Sequence, residues 1–353
     1  MASRGASAKE ELRPGRARRC AATASTMSFA LRTALPLGRR LLSRDFHVIS
    51  FYHFVERSWE PQAALPTLRA IAHAAGVKGT IILAAEGVNG SLAGDDLAQC
   101  ERVLAAIAAA EPALAGLAAK NADETDVAPF RRLKLKLKKE AVTLGLGAAS
   151  PTIAAATSPA EWDALIADPS TLLLDVRNDW EVALGSFEGA SGPATVACGD
   201  SFQAFPSFAR QLAAKHASRC WQYERIAMFC TGGVRCEKAS AQLTAAGLPL
   251  QVSQLDGGIL AYLRENGALR EKGAADTSAW RGECFVFDDR TAVKPYALDA
   301  ETGKPVQRCV MQDDGDMRRA AALLGKRGGR SLRTKAAAAE KRDAEKLDER
   351  RNL

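Results

Sequence analysis

Cys230-Thr231-Gly232-Gly233-Val234-Arg235-Cys236-Glu237-Lys238 follows the short apolar run Ile226-Ala227-Met228-Phe229. The apolar run reads as a buried strand, and the segment from Val234 onward as a helix. A cysteine at such a handover faces the unpaired N–H groups of the first helical turn and the positive end of the helix dipole. Both favour thiolate over thiol, so Cys230 is expected to be a nucleophile rather than an inert core cysteine. Gly232 and Gly233 let the backbone curl, so that N–H groups around Thr231 to Val234 point inward as an anion nest. Two roles are open to Arg235: tying the loop down, or holding an anionic substrate. Two are open to Cys236 as well: resolving an oxidised Cys230 through a disulfide, or packing against the sheet.

Working outward, Leu172-Leu173-Leu174 reads as a buried strand ending in Asp175-Val176-Arg177, and Val252 to Leu255 as another ending in Asp256-Gly257-Gly258. Ser158-Pro159-Ala160-Glu161 is a helix start, with Ser158 as N-cap, Pro159 at the first helical position and Glu161 closing a capping box. Strands alternating with helices predict an α/β domain over residues 158–272, a parallel sheet with helices on both faces. Ligands of such sheets bind beyond the carboxyl ends of the strands, where all three endings fall.

Upstream, His47 to Phe54 reads as a strand, Leu65 to Ala75 as a helix and Gly79 to Ala84 as a buried strand. Glu86-Gly87-Val88-Asn89-Gly90 suits a tight turn into a further strand. Asp95 to Ala110 reads as a helix and Leu133 to Leu144 as the last strand. The order β-α-β-β-α-β predicts a ferredoxin-like, acylphosphatase-like α+β domain over residues 46–145. Residues 146–157 are rich in small residues and read as a linker; residues 273–316 form an extension after the α/β domain, and 317–353 a charged tail.

The chain has 353 residues, 47% hydrophobic and 25% charged, the balance of a soluble globular protein. No uncharged apolar stretch is long enough to span a bilayer. Eight cysteines are too few for a disulfide scaffold, and without a C-x-x-C pair they suggest no zinc ribbon. The net charge of +7 belongs to the ends: residues 1–45 and 317–353 each carry +7, leaving −7 between them. From Leu12 to Arg44 there are eight arginines and no acids, which reads either as a mitochondrial transit peptide or as translation upstream of a start at Met27. The second reading is preferred, and with it the cytoplasm.

Tyrosine-phosphatase-like loops place one residue more between Cys and Arg than the four found here, and so encircle a phosphate. The tighter C-x-x-x-x-R loop suits a smaller anion, such as a persulfide sulfur. It resembles the rhodanese family, as do Asp175-Val176-Arg177 and Leu255-Asp256-Gly257-Gly258-Ile259. The family's common G-H-I-x-G-A is replaced by Gly185-Ser186-Phe187-Glu188-Gly189-Ala190, which points to a subfamily. Phe51-Tyr52-His53-Phe54, Ala85-Glu86-Gly87-Val88-Asn89-Gly90, Cys230 to Lys238 and Gly282-Glu283-Cys284-Phe285-Val286-Phe287-Asp288-Asp289-Arg290 together resemble the UPF0176 family of oxygen-dependent tRNA uridine(34) hydroxylases. The resemblance implies hydroxylation of the wobble uridine at carbon 5, with dioxygen as co-substrate and tRNA as partner. Cys230 would be the catalytic thiolate, with Asp175 and Arg177 supporting its loop. Cys309 lacks the close cysteine partner that members often carry in this region, so no metal pair is expected there.

Leu133 to Lys138 alternates leucine and lysine and is flanked by Arg131, Arg132 and Lys139. Lys134, Lys136 and Lys138 form either a comb that tracks a phosphate backbone or a solvated strand face. Glu86 and Asn89 belong to a hairpin turn or present polar groups to RNA. The four histidines, His47, His53, His73 and His216, form no H-x-D or H-x-E pair, and no dinucleotide fingerprint occurs. No metal ligands are therefore assigned and the cofactor is unknown. A sulfurtransferase working through a Cys230 persulfide is the alternative function, and an RNA-binding module with a vestigial rhodanese fold is a second rival.

Overall fold

The computed structural model describes residues 45–56, 59–147, 154–217, 221–271 and 278–293, with the backbone of two strand residues each at 297–298 and 305–306. Residues 1–44, the tail from 317, Met27 and Cys309 lie outside the described residues. The described residues from Asp45 onward belong to one compact unit.

The N-terminal half contains β1 (Phe46–Phe54), α1 (Pro61–Ala74), β2 (Lys78–Ala84), β3 (Gly87–Gly94), α2 (Leu97–Ala110), β4 (Ala119–Thr125) and β5 (Leu133–Leu137). The sheet order is β4-β1-β3-β2-β5, a ferredoxin-like arrangement with one strand added at the edge. The expected last strand over Leu133 to Leu144 is corrected twice. The strand that completes the ferredoxin order is β4, antiparallel to β1, and β5 is a fifth strand that lies parallel to β2 and stops at Leu137. Helices α1 and α2 cover one sheet face, burying Ile49, Phe51, Leu68, Ile81, Leu83, Cys100 and Leu104 in one core. Asp96 caps α2 by accepting the Gln99 N–H at 2.6 Å. The opposite face carries Ser50, Tyr52, Thr80, Asn89, Ser91 and Asn121, and no helix of this half covers it.

The second half contains β6 (Ala155–Thr157), α3 (Pro159–Ile166), β7 (Thr171–Asp175), α4 (Asp179–Val182), β8 (Gly185–Gly189), β9 (Gly192–Pro193), β10 (Thr195–Val196), α5 (Phe205–His216), β11 (Arg225–Phe229), α6 (Val234–Ala245), β12 (Gln251–Leu255) and α7 (Gly258–Glu271). Its parallel sheet runs β10-β7-β11-β12-β6, with a separate apolar core on each face. Part of the expected linker is thus structural: β6 is an edge strand beside β12, too short to show an apolar alternation. The helix start at Ser158 has its capping box, the Ser158 hydroxyl donating to Glu161 at 2.7 Å. After α7 the chain returns as β13 (Trp280–Gly282) against β8, then as the pair β14 (Cys284–Phe285) and β15 (Ala292–Val293). Trp280, Cys284, Val286 and Val293 join the core of the parallel-sheet domain, so this stretch of the extension is part of that domain. Among the described residues no helix is long and apolar enough to cross a membrane.

Candidate active site

Cys230 ends β11 and is fully buried at the start of the loop into α6. Gly233 holds φ +96, which turns its N–H onto the Cys230 sulfur at 3.1 Å. Burial by itself would raise the thiol pKa. The Cys236 thiol hydrogen bond, the Arg235 charge and the backbone N–H groups of Arg235 and Cys236 outweigh it and lower the pKa to about 6. The other described cysteines move the opposite way under burial: Cys100 to about 11, Cys198 and Cys284 to about 12, and Cys236 well above its ordinary value. At neutral pH the sulfur of Cys230 is a thiolate and its described neighbours are thiols.

Glu181 on α4 holds the loop, and the sequence reading missed it. Arg235 places both guanidinium nitrogens on the Glu181 carboxylate, at 2.6 and 2.8 Å, and donates to the Thr231 hydroxyl at 3.1 Å. Of the two roles left open, the fork is committed to tying down the loop. It still lends its charge to Cys230. Glu181 is in turn placed by Asp175 and Arg177. Arg177 is fully buried, forks onto Asp175 at 2.9 and 2.6 Å, and reaches the carbonyls of Gly185 and Glu181 at 2.6 and 3.4 Å. Ser186, where the common rhodanese pattern has histidine, donates to Asp175 at 2.8 Å and joins the same scaffold.

The Asp256-Gly257-Gly258 ending supports the loop from the other side. Ile259 and Leu260 donate backbone N–H groups to the carbonyls of Cys230 and Thr231, at 3.0 and 3.1 Å. Gly258 sits at φ +66, and a Cβ there would stand 2.5 Å from the Cys230 carbonyl oxygen. Gly258→Ala is expected to lower stability by about 1–3 kcal/mol, the strain of a left-handed non-glycine residue, and to slow alkylation of Cys230. An unchanged melting temperature with an unchanged alkylation rate would contradict this.

The two domains meet across α6. Tyr52 donates to Glu237 at 3.1 Å, and Gln254 to the same oxygen at 3.0 Å. Lys238 is fully buried; its ammonium reaches both Glu86 oxygens at 3.1 and 3.0 Å, Glu140 at 3.0 Å and the Val142 carbonyl at 3.2 Å. Glu86 also accepts the Ala141 N–H at 2.7 Å, and Asn89 donates to the Ala141 carbonyl at 3.1 Å. Glu86 therefore stands in a hairpin with its carboxylate bound to this chain itself, while Asn89, half-buried, also lines the cleft that this interface encloses. Asn121 on β4 donates to the Gly257 carbonyl at 2.9 Å, a further tie between the domains.

The interface encloses a cleft of about 620 Å³. Cys230, Thr231, Gly232 and Arg235 line it on one side and the polar sheet face on the other. Of the basic candidates, Lys136 and Lys138 line the cleft and form no ion pair among the described residues. Arg131 stands 3.7 Å from Asp289, while Arg132 and Lys134 are exposed outside the cleft lining. Leu133 and Leu135 pack against the helix-side core, as the alternation predicts, but Leu137 is exposed. None of His47, His53, His73 and His216 lines the cleft. Among the described residues no group of three or more His, Cys, Asp or Glu side chains has the spacing of a metal site.

Residues 46–141 match the UPF0176 acylphosphatase like domain and residues 158–265 the rhodanese-like domain. A tRNA uridine(34) hydroxylase of Gluconobacter oxydans is 41% identical over 264 residues, covering 74% of this chain and 79% of the relative. The same-named protein of Rhizobium leguminosarum bv. trifolii is 43% identical over 260 residues, 72% of this chain and 77% of the relative. That of Caulobacter vibrioides is 44% identical over 250 residues, 70% of this chain and 75% of the relative. The chain belongs to the tRNA uridine(34) hydroxylase family. In this hydroxylase-family chain the cleft takes side chains from both matched domains, and also from Phe287, Asp288 and Arg290 beyond them.

Proposed function

We propose that the protein hydroxylates carbon 5 of the wobble uridine of tRNA with dioxygen, using Cys230 as its nucleophile. The observation that carries this reading is a thiolate, pKa about 6, on the wall of a cleft whose facing wall is a polar sheet. The sheet offers hydroxyl and amide groups, and Lys136 and Lys138 stand at its edge for a phosphate. A wobble base lies in a single-stranded loop, so no duplex has to open.

The chemistry needs a thiolate for a definite reason. The C4 carbonyl polarises the C5=C6 bond of uracil, so sulfur adds at C6 and C5 becomes the nucleophilic carbon of an enolate. Dioxygen and a proton taken up at C5 give a hydroperoxide. Two electrons and two protons reduce it to the C5 alcohol and water. Loss of the C5 proton with the sulfur at C6 then restores the double bond and frees the thiolate. Cys236 hydrogen-bonds to Cys230. The two electrons and two protons that reduce the hydroperoxide come from an external dithiol, which leaves as its disulfide, because Cys230 is still bonded to C6 at that step.

Nucleoside mass spectrometry of tRNA from a strain lacking the gene tests this. The 5-hydroxyuridine derivatives disappear, return with the wild-type gene and do not return with Cys230→Ala. Restoration by Cys230→Ala would overturn the nucleophile assignment. The four-residue spacing of the Cys230–Arg235 loop supports a second reading, transfer of a persulfide sulfur. Turnover of thiosulfate and cyanide by the purified protein, with tRNA left unhydroxylated, would favour it.

A further inference from the structure

Phe287 is 65% exposed, the most exposed of the large apolar side chains among the described residues, and it lines the same cleft as Cys230. Its ring is held in place. Phe285 meets it at 84° with centroids 5.0 Å apart, Trp180 meets it at 79° and 6.3 Å, and the Arg235 guanidinium carbon stands 5.9 Å from its centroid. Trp180 and Phe285 pack on each other at 4.7 Å, so the three rings form one cluster with Phe287 as its exposed member.

The turn that carries Phe287 is also fixed. Arg290 forks onto Asp288 at 2.9 and 2.8 Å and reaches Asp123 on β4 at 2.7 Å, which pins the β14–β15 turn to the sheet side of the cleft. The same guanidinium offsets two carboxylates at the cleft wall, Asp123 and Asp288, that would otherwise repel a phosphate. An ordered aromatic ring held out into water beside a cleft whose lysines form no ion pair among the described residues is what single-stranded nucleic acid sites present: a π-face for a base and cations for the backbone.

We propose that Phe287 is a stacking platform, on which a base of single-stranded RNA lies when the strand enters the cleft. Arg235 adds a cation next to the ring, and Lys136 and Lys138 take the backbone. This rests on the RNA-substrate reading above and adds a residue that reading does not use. Stacking accepts any base, so Phe287 contributes grip on the loop and leaves the choice of uridine to the polar sheet face.

The test measures binding and hydroxylation of an anticodon stem–loop RNA by wild type, Phe287→Ala, Phe287→Leu and Phe287→Trp. Alanine and leucine weaken binding about 10- to 100-fold, the usual loss for one stacked base, and tryptophan restores it. Hydroxylation falls much more at limiting than at saturating RNA, and the rate of Cys230 alkylation stays at the wild-type value in all variants. Wild-type binding by Phe287→Leu would overturn the platform, because leucine keeps apolar volume without a π-face. Wild-type binding by Phe287→Ala would overturn it too, including the case where Phe287 contacts a protein partner instead. If wild type hydroxylates the RNA while the variants bind it equally, the platform fails alone. If wild type binds and stacks the RNA without hydroxylating it, the hydroxylase reading fails and the platform stands.

Discussion

Lys238→Met lowers the stability of the protein by about 3–5 kcal/mol, the usual loss when one partner of a buried ion pair is removed. Lys238 is fully buried, and Glu86 and Glu140 are 6% and 5% exposed. One ammonium thus serves two carboxylates drawn from the N-terminal domain and the segment after β5. Without it, two negative charges remain largely buried, with backbone N–H groups from Ala141, Leu144 and Gly145 among their donors. The loss also depends on pH. Burial would raise the Glu140 pKa, but the Gly145 N–H, Lys238 and the Leu144 N–H together hold it below the ordinary value. A depressed carboxylate contributes stability above its unfolded pKa, and that contribution disappears as pH falls through the folded value. Wild type and Lys238→Met should therefore differ most at neutral pH and converge in acid, as pH falls through the folded Glu140 value below the ordinary carboxylate range. Urea unfolding at neutral and at acid pH measures both effects. The double variant Glu86→Gln/Lys238→Met should recover part of the loss, because it removes one stranded charge. A loss below about 1 kcal/mol at neutral pH, the size expected of an exposed pair, would show that water reaches the triad.

The triad also shows where a linear reading stops. The Cys230 loop is legible because strand, glycines, arginine and helix start occupy one short contiguous run, and each acts on its neighbours. Glu86 is legible as a turn residue for the same local reason. The partner of its carboxylate, the Lys238 ammonium, lies 152 residues away, and no periodicity announces a contact at that separation. Tyr52 sits on a strand that reads correctly, yet its hydroxyl bonds to Glu237, 185 residues on. Glu181 hides in a four-residue helix, Asp179–Val182, too short to carry a periodic signal. β4 escaped for another reason. Its sequence, AKNADET, turns Asn121 and Asp123 toward the cleft and gives the helix side only small alanines, so it lacks the apolar alternation of a half-buried strand. The Leu-Lys alternation after it was the louder signal, and it marks the edge strand β5 instead. In both cases the site itself blurred the pattern: a sheet face kept polar for a cleft no longer looks like a strand.

Alkylation of Cys230 reaches half its maximal rate near pH 6, the value to which its pKa is lowered, and is nearly complete by pH 7. Only the thiolate attacks an alkylating reagent, so the rate follows its fraction. At pH 7 Cys230 is also modified alone among the described cysteines, since burial pushes Cys100 up to about 11 and Cys198 and Cys284 to about 12. Cys236→Ala removes the thiol that donates to Cys230. A hydrogen bond to a charged group contributes about 1.5–3 kcal/mol, so the midpoint should rise by roughly one to two pH units. The sign for stability follows. In the unfolded chain the Cys230 thiol keeps its proton up to about pH 8.5, while in the folded chain it loses it near 6. Between these values the unfolded state binds the extra proton, so stability rises with pH across that window and falls as pH drops through 6. Cys230→Ser removes both behaviours, because a serine hydroxyl does not ionise there. A wild-type midpoint at 8 to 9, with Cys236→Ala unchanged, would mean that the ring of N–H groups and the Cys236 thiol do not hold the charge, and the C6 addition would lose its nucleophile.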